Sequence, residues 1–162
     1  MSKRSIATFV CSALSLIGAS GFALAETIGR YECNVVGTIS PELIGDRSEH
    51  SLVSYQFSCF GVAGLLKGAV YSAIHVSEWD GSQGTFLLVG GVHRSAGGFA
   101  VTQMSDGAGS VVVKDGKRIG STSSGKATFK FASGTLAALS GKTVNFTSKS
   151  TGLERFELEF AD

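Results

Sequence analysis

Three stretches between Ser124 and Phe160 alternate apolar and polar residues with a period of two, and they limit the fold more than any other feature of the chain. In Lys126–Phe131, Ala127, Phe129 and Phe131 alternate with Lys126, Thr128 and Lys130. In Lys142–Ser148, Val144 and Phe146 alternate with Thr143, Asn145 and Thr147. In Glu154–Phe160, Phe156, Leu158 and Phe160 fall on one face and Arg155, Glu157 and Glu159 on the other. One dry face and one wet face describe a half-buried antiparallel strand. Gly152 lies between the last two runs and predicts a short hairpin there.

The same reading extends upstream. Glu26–Val36 and Leu52–Phe60 are expected strands, and Val53, Tyr55, Phe57 and Cys59 share a face of the second. Ala69–Trp79 is a third, with Tyr71, Ala73, His75, Ser77 and Trp79 on one side. Thr85–Val92 and Phe99–Gln103 follow. Ser110–Lys114 and Lys117–Ser121 flank Asp115-Gly116, a strong hairpin signal. Gly37–His50 holds the only proline, Pro41, among several charges and is expected as an exposed connection. No stretch keeps helical spacing over three turns; Thr135–Leu139 could form one turn at most. Short strands at this spacing, about eight to ten of them, predict an all-β fold: an antiparallel β-barrel, with a β-sandwich or jelly roll as the alternative. The 22 glycines favour the barrel, because doublets such as Gly90-Gly91 fall where a curved sheet must kink.

Residues 1–25 have a different character. Lys3 and Arg4 precede an uncharged apolar run from Ile6 to Phe22, and Ala23-Leu24-Ala25 offers small residues where a signal peptidase cuts. Residues 1–25 are therefore read as a cleaved signal peptide and 26–162 as one domain, periplasmic or secreted from a bacterium. No second apolar run reaches the roughly 18–20 residues of a membrane helix, so no membrane insertion is expected after cleavage. Cys11 leaves with the leader, and the remaining pair, Cys33 and Cys59, is most simply a disulfide. Near-neutral charge without a basic cluster excludes nucleic acid as an expected partner.

Within this frame, Lys126-Ala-Thr-Phe-Lys-Phe-Ala-Ser-Gly-Thr-Leu-Ala-Ala-Leu-Ser-Gly-Lys142 and the glycine-rich Phe86–Phe99 segment resemble elements of small exported bacterial β-barrel proteins. That group is similar to the allene oxide cyclase and dirigent barrels. The resemblance implies eight antiparallel strands around an apolar central cavity. No catalytic residue of those families falls on a numbered position here, so no activity is carried over.

Two groups of side chains are candidates for ligand binding. Tyr71, His75 and Trp79 share one face and would form an aromatic wall with one titratable imidazole if that face points inward. His93 and Arg94 follow the Gly90-Gly91 break and, at a barrel mouth, could hold an anion by charge-assisted hydrogen bonds. His50, in the charged connection, is expected to be exposed. No cofactor, metal site or catalytic constellation emerges; Glu78 is expected on the side opposite Trp79 and Asp80 in a turn, so the two are not read as a hydrolase's carboxylate pair, and the serines lack a strand-to-helix elbow. Two functions of different class follow. One is a barrel whose interior takes a small apolar or amphipathic ligand. The other is a side-chain-filled barrel acting on an unknown protein partner through surface loops. A cyclase- or isomerase-like enzyme comes third, on fold analogy alone.

Overall fold

The computed structural model describes residues 27–162, so the signal-peptide expectation lies outside the described residues. The alternating runs become strands that pair in sequence order: β1 (Thr27–Leu43), β2 (His50–Gly64), β3 (Val70–Asp80), β4 (Gln83–Ser95), β5 (Gly98–Lys114), β6 (Lys117–Gly134), β7 (Thr143–Gly152) and β8 (Arg155–Ala161). Every pair is antiparallel, and β8 pairs with β1, so the sheet closes into an eight-stranded up-and-down barrel. Closure leaves the barrel wall with no free edge along most of its height. Among the described residues, no helix is long and apolar enough to cross a membrane.

Several expected strands fuse. Phe99–Gln103 and Ser110–Lys114 lie on one strand, β5, and Lys117–Ser121 and Lys126–Phe131 on another, β6. A register shift between Met104 and Asp106 hides this continuity by breaking the alternation mid-strand. Gly125 faces the same irregularity: a Cβ there would sit 2.0 Å from the Asp106 carbonyl oxygen, so β6 can pass the bulge only with glycine. Asp115-Gly116 makes the expected two-residue turn between Lys114 and Lys117, with φ of 52° and 73°.

The Gly37–His50 connection is shorter than expected. β1 continues to Leu43, paired with β2 through Pro41↔Val53, and only Ile44–Glu49 remains as a loop. Past Asn34 that end of β1 has no pairing with β8, which is why a proline is tolerated on it.

Cys33 and Cys59 are direct register partners on β1 and β2 and are joined by a disulfide that faces the interior. By restricting the unfolded chain across this interval, such a bond contributes about 3 kcal/mol.

The interior divides along the barrel axis. At one end Tyr31, Tyr71, Phe129, Leu158 and Phe160 are fully buried. That end is sealed by Leu66 from the β2–β3 turn and by Leu136 and Leu139 around a 3-10 turn, Ala137–Leu139. The loops at the other end are the Ile44–Glu49 connection and the turns Gly81-Ser82, Asp115-Gly116 and Leu153-Glu154. None of these supplies a buried apolar side chain, and the barrel is open there.

Candidate functional site

The inward face changes chemistry along single strands, and this builds a cup. On β7 the inward positions run Val144, Phe146, Ser148 and Ser150, from the sealed end toward the mouth. On β6 they run Phe129, Ala127, Gly125, Ser123 and Ser121. Large apolar side chains thus give way to small hydroxyl ones, and the space left in the mouth half is a cavity of about 640 Å³.

Its walls differ. One side is aromatic: Tyr55 from β2, His75 and Trp79 from β3, Phe86 from β4 and Phe156 from β8. Tyr55 stacks on His75 with ring centroids 4.6 Å apart, and Phe86 meets the other side of His75 edge-on at 4.5 Å. Phe156 packs edge-on against Phe57 at 5.3 Å, which ties the cup floor to the packed half below. The opposite wall is a ladder of hydroxyls. Ser123 and Ser148 are hydrogen-bonded across β6 and β7 at 2.6 Å, and the Ser150 hydroxyl accepts the Ser121 backbone N–H at 2.9 Å. At the rim the Arg118 guanidinium lies over the Trp79 ring, 5.9 Å from its centroid.

A hydrogen-bonded chain holds the β3 side chains in place. The Trp79 Nε1–H donates to the Ser77 hydroxyl at 2.8 Å, and Ser77 lies 2.8 Å from His75 Nε2. The Ser77 oxygen has two lone pairs, so beside the bond from Trp79 it either donates its proton to His75 Nε2 or accepts from Nε2–H, according to the imidazole tautomer. Burial pushes the His75 pKa down to about 4 and the Tyr55 pKa up to about 12, so the aromatic floor is uncharged at neutral pH.

The structure separates the residues singled out in the sequence. Tyr71, His75 and Trp79 do share the inward face, but they are strung along the axis. His75 and Trp79 line the cup, whereas Tyr71 is fully buried in the packed half, stacked on His93 at 3.9 Å. The pairing of His93 with Arg94 at a mouth does not occur. Adjacent residues on a strand face opposite sides, so His93 is fully buried in the packed half near the sealed end, while Arg94 points outward into solvent. The His93 ring sits between two hydroxyls, Tyr31 on Nδ1 at 2.7 Å and Thr102 on Nε2, so a neutral imidazole donates to one and accepts from the other. Burial lowers its pKa to about 3.

His50 is also not the exposed residue expected. It is 5% exposed and held between Asp46 and Glu78, the latter at 2.6 Å. Hydrogen bonds to the two carboxylates raise its pKa above the usual histidine value, and Arg47 reaches Asp80 at 3.1 Å beside it. This cluster clamps the Ile44–Glu49 loop to β3 at the mouth. Glu78 and Asp80 both meet Arg47 there.

Sequence reasoning missed Tyr55, Phe86, Phe156 and the four serines as a group. The signal was present in the period-two positions of β6 and β7, where the inward face turns from Phe and Val to Ser. Among the described residues no cluster of His, Cys, Asp and Glu side chains is placed to hold a metal ion. No protein-family model, curated protein or solved structure matches this chain.

Proposed function

We propose that the protein is an exported barrel that binds a small amphipathic molecule in its open half. One observation carries the reading: a cavity of about 640 Å³ opens at one end of an otherwise filled barrel, with an uncharged aromatic wall facing a hydroxyl wall. That volume lies within the range of small-molecule sites, and the division suits a ligand with one apolar face and one edge of hydrogen-bonding groups. The aromatic side supplies stacking area at low entropic cost, and the serine ladder supplies donors and acceptors that fix orientation. The leader-like residues 1–25 and the Cys33–Cys59 bond support export into an oxidising compartment.

The neutral fluorophore N-phenyl-1-naphthylamine tests this. Trp79 is the only tryptophan and lies in the wall of the cup, so its emission reports occupancy directly. The expected result is saturable quenching with one site per chain. Tyr55→Ala, which removes one stacking partner of the floor, weakens that binding roughly tenfold. Trp79 emission that never saturates with probe would discard the ligand reading in favour of a barrel that acts through its loops.

A further inference from the structure

The rim of the cup holds an arginine that strand alternation alone would turn away from it. On β6 the inward residues nearest the mouth are Ser123 and Ser121, so a regular strand would bring Ile119 inward next and point Arg118 out. Instead the β5–β6 register shifts between Val112 and Val113, where Val112 pairs with Gly120 and Val113 with Arg118. Ile119 is the extra residue of a bulge, and Arg118 returns to the cavity side. Close approach of β7 demands glycine at this bulge: a Cβ on Gly120 would meet the Ser150 Cβ at 2.6 Å.

The charge delivered to the mouth in this way has no counterpart in the fold. Three charged side chains line the cup, Arg118 and Arg155 as cations and Glu154 as the anion. Among the described residues, the ion pairs at the mouth join Arg47 and His50 to Asp46, Glu78 and Asp80, and Arg118 and Arg155 make none. The Arg118 guanidinium lies over the Trp79 ring instead, a contact that steadies the side chain without a carboxylate. A guanidinium presents its N–H groups as a planar fork that fits two oxygens of an oxyanion. Below it, Tyr55 and His75 offer stacked aromatic faces and no charge, so an anionic group finds its complement at the mouth rather than on the floor.

We propose that the molecule held in the cup is a flat aromatic anion, its ring against Trp79 and the Tyr55–His75 stack and its oxyanion on Arg118. The group is a carboxylate, sulfonate or phosphate, and it stays at the rim, where it keeps part of its hydration. This inference rests on the reading of the cup as a small-molecule site and adds the charge and the orientation of what enters it.

A matched pair of probes tests it. The anion 8-anilinonaphthalene-1-sulfonate is N-phenyl-1-naphthylamine with a sulfonate on the naphthalene ring, so their affinity ratio isolates the charge. Both are titrated into the protein purified from cells expressing the full sequence, with Trp79 quenching as the readout. The sulfonate is expected to bind about tenfold more tightly than the neutral probe at low salt. Arg118→Gln brings the ratio close to one, and Arg118→Lys keeps part of the preference. Raising NaCl from about 20 mM to about 0.5 M lowers the ratio in the wild type. Any change in cup shape acts on both probes and cancels in the ratio. A ratio near one in the wild type, or one that Arg118→Gln leaves unchanged, overturns the inference. Should Arg118→Gln fail to fold, a wild-type ratio independent of NaCl overturns it instead. In each of these cases saturable N-phenyl-1-naphthylamine binding leaves the amphipathic-ligand reading standing; if neither probe saturates, both fall.

Discussion

Phe160→Ala lowers the unfolding free energy by about 3–5 kcal/mol, the range for truncating a fully buried aromatic side chain. Phe160 is 0% exposed, and its ring contacts those of Tyr31, Tyr71, His93 and Phe129 at centroid distances of 5.7–6.2 Å. Four strands contribute to that cluster besides β8, so the neighbours cannot collapse into the void without bending the barrel wall. The loss combines missing transfer free energy with a retained cavity. Urea denaturation followed by far-UV circular dichroism measures it, and an unchanged midpoint would mean that the sealed half is not packed as described.

The second large effect is destabilisation by mild acid. His75 and His93 are held neutral in the fold, with pKa values lowered from 6.5 to about 4 and about 3 by burial. Above pH 6.5 neither state binds these protons, and their contribution to folding is fully present. As pH falls below 6.5 the unfolded chain takes up both protons and the native chain does not, so each histidine removes up to about 1.4 kcal/mol per pH unit. The loss continues to about pH 4 for His75 and about pH 3 for His93. Between pH 6.5 and 4 this amounts to several kcal/mol, a large share of the roughly 5–15 kcal/mol that holds a domain of this size together.

His50 acts in the opposite sense. Its raised pKa favours the fold below pH 6.5 and loses that contribution as pH rises through the folded value. The buried pair outweighs it, because His50 sits at the mouth among solvated groups. Equilibrium unfolding at several pH values between 7 and 4.5 gives the slope. His93→Gln should reduce it by about half even though that variant is less stable at neutral pH. A slope that neither His93→Gln nor His75→Gln alters would place the acid sensitivity elsewhere.

The strands and their inward faces were legible because a half-buried strand writes its burial into alternate residues. Phe156, Leu158 and Phe160 on β8 and Val144 and Phe146 on β7 behave as their spacing predicts. Strand number was less legible. The bulge near Met104 shifts register on β5, and inward positions facing an open cup need not be apolar, so Gly107, Gly109, Ser121 and Ser123 resemble loop residues. Which end of the barrel is sealed depends on Leu66, Leu136 and Leu139, which lie in connections and obey no strand period. The same limit applies to His50, whose partner Glu78 is 28 residues away in the chain and meets it only after β2 and β3 pair. His93 was within reach: Val89, Gly91 and His93 occupy one face of β4, and following that alternation through the glycines leads inward.

Phe156 and Phe160 offer the most direct test of a barrel divided into a packed half and a binding half. They lie on the same strand and face, four residues apart, and only Phe156 lines the cup. Alanine variants of both are compared by N-phenyl-1-naphthylamine affinity read from Trp79. Phe156→Ala is predicted to weaken the probe about tenfold. Phe160→Ala should leave the affinity of the folded protein within about twofold of wild type, because the probe does not touch it. Equal losses of affinity in both variants, or none in either, would contradict the division.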